Sequence, residues 1–220
     1  MSLKLSVVSS LYFSESNLKE FYQRLKAQAF EIAGDNHEII FVNDGSPDNS
    51  LQVALELSKQ DQKLIIIDLS RNFGHYKAMM TGLIHAKGER VFLIDSDLEE
   101  DPEYLELFNE KLNSLNCDVI YGIQAQRKGN LFERISGSIF WKIFNMLSNI
   151  QIPANHTTAR LMKRDYVDAL VLHQEREIFI SGLWEITGFD QVACPVKKHA
   201  LSRSTYTLRK KLSLSINAII

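Results

Sequence analysis

Cysteine and proline are scarce in this chain of 220 residues, with two of the first and four of the second, and no long apolar run occurs. Cys117 and Cys194 both lie in apolar, strand-like surroundings without metal-ligand spacing, so two buried free thiols are expected rather than a disulfide, which fits a reducing compartment. No stretch approaches the roughly 18 consecutive apolar residues that a bilayer-spanning helix needs. No leader pattern opens the chain. A P-loop nucleotidase is excluded, because no glycine-rich loop carries the required lysine. The formal net charge of −2 gives no global argument for nucleic acid as a partner. His75, His85, His156, His173 and His199 have no ligand spacing either, although His75 falls in a loop rich in other signals. Acidic residues disappear altogether after Asp190, while Lys197, Lys198, Arg203, Arg209, Lys210 and Lys211 follow. Such a basic end suits an anionic partner or a membrane surface, or is simply a solvated face.

What the chain does have is a strand running into acid. Val91 to Ile94 is apolar enough for a buried parallel strand, and it leads directly into Asp95-Ser96-Asp97-Leu98-Glu99-Glu100. On an extended backbone, Asp95, Asp97 and Glu99 would project from one side. Crowded carboxylates repel and lose hydration, and a divalent cation removes that cost. Hard oxygen ligands suit Mg2+ or Mn2+, ions commonly shared with substrate phosphates. The alternative is a solvated helix start, where acids favour the dipole. It accounts for Glu100, Asp101 and Glu103 but not for acids directly at a strand end.

The first half alternates strand and helix patterns. Strands are expected at Leu5–Ser9, Glu38–Val42, Leu64–Leu69, Val91–Asp95 and Val119–Gly122. Helices are expected at Ser16–Ala33 (apolar stripe Leu18, Phe21, Leu25, Phe30), from Pro47 with Ser46 as N-cap to about Lys59, at Tyr76–Ala86 and at Pro102–Leu115. Alternation of this kind predicts an α/β fold with a mostly parallel, Rossmann-like sheet covered by helices on both faces. Ligands on such sheets bind at the strands' carboxyl ends, where Asp44, Arg71 and Asp95 fall. The second half is less regular: an apolar helix over Asn130–Ile150, either buried between layers or lying against lipid, a short strand at Arg160–Lys163, a helix at Asp165–Leu172, a strand at Val192–Val196 and a basic-then-apolar helix over Tyr206–Ile220. The apolar ending suggests a chain cut just before further hydrophobic sequence.

Several segments, in order and at compatible spacing, resemble family 2 glycosyltransferases of GT-A fold, especially the branch similar to dolichol-phosphate mannose synthase that glycosylates polyprenyl phosphates. They are Val42-Asn43-Asp44-Gly45-Ser46-Pro47-Asp48, Ser70-Arg71-Asn72-Phe73-Gly74-His75 with Ala78 and Gly82, Asp95 through Glu103, Tyr121-Gly122 with Arg127 and Arg134, Arg160-Leu161-Met162, and Ser204 through Lys210. Departures from the family pattern are Ser9-Ser10-Leu11-Tyr12 in the first strand, Glu99 for a glutamine, Gln124 for a frequent arginine, and Thr158 for the acid that precedes the Arg160 motif. The resemblance implies one GT-A domain over 1–220: a nucleotide-sugar-binding half over 1–122, an acceptor half over 123–203 and a juxtamembrane-like helix over 204–220.

It further implies roles. Asp44 would contact the nucleoside, Tyr12 and Glu15 would line its pocket, and Arg71 would meet donor phosphate or merely pair with an acid. Asp95, Asp97 and Glu99 would hold the metal that neutralises the leaving diphosphate. An alcohol acceptor needs a general base, whereas a phosphate acceptor is already an anion. With Thr158 where the family has an acid, a phosphate is favoured, held by Arg127, Arg134, Arg160 and Arg203. The implied activity is that of an inverting, metal-dependent enzyme of hexosyltransferase type, moving a sugar from a nucleotide diphosphate to polyprenyl phosphate at the cytoplasmic membrane face, with oligomers possible. Alternatives are transfer to a saccharide hydroxyl in surface polysaccharide synthesis, or nucleotide-sugar binding without turnover.

Overall fold

The computed structural model describes residues 3–124, 153, 155–173, 175 and 180–199. The expected helices over 130–150 and 206–220, and with them Arg127, Arg134 and Arg203, lie outside the described residues. In chain order the elements are β1 (Leu5–Leu11), α1 (Leu18–Ala33), β2 (His37–Asn43), α2 (Ser50–Ser58), β3 (Leu64–Asp68), α3 (His75–His85), β4 (Arg90–Leu93), α4 (Tyr104–Leu115), β5 (Val119–Gln124), β6 (His156–Lys163), α5 (Arg164–Leu170), α6 (Ile180–Ile186) and β7 (Gln191–Val196).

The strands form one sheet in the order β3-β2-β1-β4-β6-β5-β7. Every neighbouring pair is parallel except those of β6, which runs antiparallel to β4 and β5. The expected α/β fold is therefore present, with one reversed strand in its middle. That reversal puts the start of β6 beside the carboxyl end of β4: Leu93 pairs with Arg160 and Ile123 with His156.

Alternation of side chains divides the core into two layers. Val7, Ile39 and Phe92 face one way, onto Phe21 and Leu25 of α1 and Phe108 of α4. Val8, Ile40 and Val91 face the other, with Met79 and Leu83 of α3, Tyr166 of α5 and Trp184 of α6. In α1 the buried residues are Leu18, Phe21, Tyr22, Leu25, Ala29 and Ala33. Phe30, expected in that stripe, is 56% exposed. It stands about 100° around the helix from Ala29, which occupies the core position instead. Gly82 lets α3 lie directly on the sheet, because a Cβ there would run into Val8 and Val42.

Three boundaries differ from expectation in ways that bear on the site. β4 ends at Leu93 rather than Asp95. β6 begins at His156 rather than Arg160. α2 begins at Ser50, not Pro47, and Ser46 is not its cap. The loop before α2 turns inward instead, with Ser46 Oγ and Ser50 Oγ both donating to Asp48 Oδ1 at 2.6 and 2.5 Å. α6 was not legible in the sequence.

Candidate active site

The carboxyl ends of β1, β2 and β4 and the amino end of β6 converge on one edge of the sheet. β4 stops at Leu93, and the backbone then turns so that Ser96, between the two aspartates, points back into the fold. Its hydroxyl donates to the Ser10 carbonyl and pairs with Ser14 Oγ, both at 2.8 Å. With Ser96 anchored inward, Asp95 and Asp97 are left on the outer side.

Asp95 lies beside His75, whose Nε2 is 3.2 Å from Asp95 Oδ1. The imidazole is steadied by Ser10 Oγ, 2.9 Å from Nδ1. Burial by itself would raise the Asp95 carboxyl, but the His75 charge outweighs it and holds the group below the ordinary carboxylate range. Asp97 is shifted the other way, upward, by burial first and by the charge of Asp95 second. Asp95 Oδ1 is sealed from solvent, with the His75 ring as its cationic neighbour among the described residues. A buried carboxylate oxygen beside a second carboxylate whose ionisation is resisted is a pair of hard oxygens that Asp95 and Asp97 would offer to a divalent cation.

Glu99, expected as a third metal ligand, is not gathered with them: no group of three acidic, His or Cys side chains among the described residues is placed to hold a metal. The physical reason is the backbone. Leu98 adopts φ +58°, a left-handed turn that ends the strand-like alternation assumed for residues 95–99. Glu99 consequently meets Lys198, with Nζ–Oε2 at 3.1 Å. Glu100 is fully buried and clips the acidic run to β6, accepting the Thr158 and Ala159 amides at 3.1 and 2.7 Å. Burial first, and then the charge of Asp95, pushes its carboxyl up to about 7.

The other residues expected at this edge surround the β2 and β3 loops. Asp44 is buried, with Oδ1 accepting the Phe73 and Gly74 amides at 2.7 and 3.3 Å and Oδ2 accepting Gly74 at 3.1 Å. It ties the β2 and β3 loops together. Gly45 makes that approach possible: at φ +59°, a Cβ there would lie 2.5 Å from the Asn72 nitrogen. Glu15 accepts the Asn49 side chain and backbone amide at 2.9 and 3.2 Å, which secures the entry to α2. Tyr12 is half exposed, edge-on to Phe13, and Arg71 is exposed with its guanidinium 4.3 Å from the Phe73 ring centre. Exposed aromatic rings next to a carboxylate edge can stack a planar base.

Arg160 is the most unusual residue of the site. It is 1% exposed, yet Nε and Nη1 have no hydrogen-bond partner among the described residues. Its guanidinium rests on the Trp184 ring, 3.0 Å from the centre, with the Tyr121 ring 6.0 Å away. Burial lowers its pKa to about 10. Hydrogen bonds tie this wall to its surroundings: Tyr166 Oη donates to the Trp184 carbonyl at 3.1 Å, and His156 Nε2 is 2.8 Å from Ser181 Oγ. The sequence singles out Arg160 but not the Trp184 platform or Lys198, whose partners lie far away along the chain and leave no spacing signal.

The family described as glycosyl transferase family 2 matches residues 6–171. A relative in Mycobacterium tuberculosis (strain CDC 1551 / Oshkosh), whose name gives the glycosyltransferase class and no substrate, is 49% identical over 217 residues, which is 99% of this chain and 63% of the relative. The prophage bactoprenol glucosyl transferase homolog of Escherichia coli (strain K12) is 31% identical over 188 residues, 84% of this chain and 60% of that protein. The chain thus spans under two thirds of these relatives' lengths. Among solved structures, glucosyl-3-phosphoglycerate synthase from Mycobacterium tuberculosis, in complex with Mn2+, uridine diphosphate and glucosyl-3-phosphoglycerate, superposes with a TM-score of 0.63 at 15% identity, covering 99% of this chain and 77% of that one. With a sheet reversed at β6, two aspartates at the carboxyl end of β4, and these matches across nearly its whole length, the chain belongs to glycosyl transferase family 2.

Proposed function

We propose that this chain is the catalytic domain of an inverting, metal-dependent glycosyltransferase that moves a sugar from a nucleotide diphosphate to polyprenyl phosphate at the cytoplasmic face of a membrane. The observation that supports the acceptor most is Arg160, a buried guanidinium with two nitrogens unpaired among the described residues, one strand away from the aspartates. A charge kept in that state is costly unless an anion completes it, and guanidinium matches phosphate bidentately. A relative at 31% identity carries the name of a bactoprenol glucosyl transferase. The described residues of themselves contain no helix long and apolar enough to cross a membrane.

In this reading Tyr12 and the Asp44 loop receive the nucleoside, Arg71 faces the donor phosphates, and Asp95 and Asp97 would hold Mg2+ or Mn2+. The cation, when bound, supplies Lewis-acid neutralisation of the departing diphosphate. Arg160 orients the acceptor phosphate, with Arg127, Arg134 and Arg203 proposed as further contacts. One acceptor oxygen forms the bond to the anomeric carbon while the carbon–oxygen bond to the diphosphate breaks and its electron pair leaves with the nucleotide. A single displacement inverts the anomeric centre. No proton need be removed from a phosphate that is already ionised, which agrees with Thr158 standing where a base would be needed.

The test is transfer of radiolabelled sugar from UDP-, GDP- and CDP-sugars to polyprenyl phosphate in detergent, with a saccharide acceptor run alongside and the product's anomeric configuration read by NMR. Transfer to the lipid phosphate with inversion is expected. Transfer to the saccharide alone would replace the acceptor, and donor binding without any transfer would leave a binding protein.

A further inference from the structure

Lys198 has no part in the chemistry described so far, yet its position is specified in detail. The backbone on either side is pinned across the acidic run. Tyr104 Oη donates to the Lys197 carbonyl at 2.6 Å and accepts the Lys197 amide at 3.0 Å. The His199 amide donates to the Glu99 carbonyl at 2.8 Å, and His199 Nε2 lies 3.1 Å from Asp101 Oδ2. Between these anchors the Lys198 side chain turns inward. Its ammonium lies 3.1 Å from Glu99 Oε2 and 4.0 Å from Glu100 Oε1. It is half-buried, and its charge also reaches Asp95 and Asp97. Among the described residues, Lys198 thus shares the neutralisation of the four carboxylates over residues 95–100 with His75, which faces Asp95 from the other side.

We propose that the Lys198 ammonium is the resident counter-ion of this carboxylate cluster and that a divalent cation enters the donor site in competition with it. The proposal depends on Asp95 and Asp97 being the metal ligands, as read above. An ammonium is compact and flexibly tethered, so it can neutralise the cluster and still move away. Two cations at one small cluster repel, so the ion binds weakly while Lys198 is in place. A nucleotide diphosphate changes the balance. It brings its own negative charge, which both binds the ion and gives the displaced ammonium a new partner. Metal and donor would therefore bind cooperatively, each weakly alone.

The test uses the nucleotide-free chain and Mn2+ alone, with free Mn2+ followed by electron paramagnetic resonance. Wild type is compared with Lys198→Met, Lys198→Arg and Asp97→Asn. Coulomb attraction at these distances in a partly solvated site is large enough for Lys198→Met to tighten Mn2+ binding on the order of tenfold. Lys198→Arg should stay near wild type, and Asp97→Asn should abolish binding. If Asp97→Asn has no effect, the cation is bound elsewhere and the metal-site reading itself fails. If Asp97→Asn abolishes binding but Lys198→Met binds no tighter than wild type, the two-carboxylate site stands and the counter-ion proposal is overturned. A second readout needs no variant: acetylation of Lys198, followed by mass spectrometry, should accelerate on adding Mn2+ as the amine is released. An unchanged rate overturns the proposal.

Discussion

Replacing Arg160 by methionine should make the protein more stable and less active. The folded chain holds the guanidinium at 1% exposure and lowers its pKa to about 10, with burial as the main cause. Relative to the ordinary arginine range, that displacement corresponds to a cost of about 3 kcal/mol for keeping the charge in the folded state. The sign follows from the direction: the charged form is disfavoured by folding, so the cost is present at every pH below about 10, neutral pH included. Against it stands the stacking on Trp184, worth up to about 2 kcal/mol when desolvated. Methionine fills a similar volume without charge, so the net gain is about 1–3 kcal/mol. That is consistent with buried ion groups whose apolar replacement stabilises. For a chain of this size each kcal/mol moves the melting temperature by about 2–4 °C. Thermal unfolding by circular dichroism should therefore show Arg160→Met melting about 2–12 °C above wild type. Inorganic phosphate added to both proteins should raise the wild-type Tm and leave the variant where it was. A variant destabilised by more than about 1 kcal/mol, or one that gains as much from phosphate as wild type, would refute the claim that this guanidinium is held unsatisfied for an anion.

Asp97→Ala should eliminate Mn2+-dependent nucleotide binding, checked by calorimetry with UDP, GDP and CDP; undiminished binding would move the metal away from this pair. Glu100, with a folded pKa raised to about 7, favours its neutral form in the folded state. Its contribution to stability should fall as pH rises from about 4.5 through 7, by an amount on the order of a few kcal/mol. Urea unfolding of wild type and Glu100→Gln across that range should show a clearly shallower falling slope in the variant, the remainder coming from groups such as Asp97. Gly82→Ala should cost about 1–3 kcal/mol through overpacking against Val8 and Val42, read as a lower urea midpoint at unchanged m-value. Gly45→Ala should strain a left-handed turn and push on Asn72, weakening nucleotide binding more than overall stability.

Much of this architecture could be read from residues because local signals and burial agreed there. The apolar runs of β1, β2 and β4 are buried on both faces, as an interior parallel strand requires. α1 and α4 carry clear stripes. What the sequence does not show rests on contacts between distant segments or on a single backbone turn. Strand alternation groups Glu99 with the two aspartates, and a single left-handed residue, Leu98, interrupts that alternation. Glu15, expected at the nucleotide pocket, also holds the start of α2, a contact that no local pattern announces. Asp44 was weighed between base contact and loop stabilisation, and its oxygens meet two loop amides. β6 was seen only from Arg160 onward, because His156-Thr157-Thr158 is too polar to suggest a strand before its partners are known. Lys198 belonged to a basic tail in one dimension and to the acidic edge in three.

The order of synthesis gives the reversed strand a further meaning. β4, which delivers the aspartates, is flanked by β1 near the start of the chain and by β6 well past residue 150. A ribosome that has released everything up to α4 has made a sheet whose exposed edge is an apolar β4, the very kind of surface that recruits a neighbouring chain. Only when β6 arrives is that edge covered, and with it come Arg160 and the amides that grip Glu100. Pairing at such sequence separation is slow to form. The edge that carries the aspartates is thus among the last parts to be completed, and a nascent chain stalled before β6 would be exposed to misassembly.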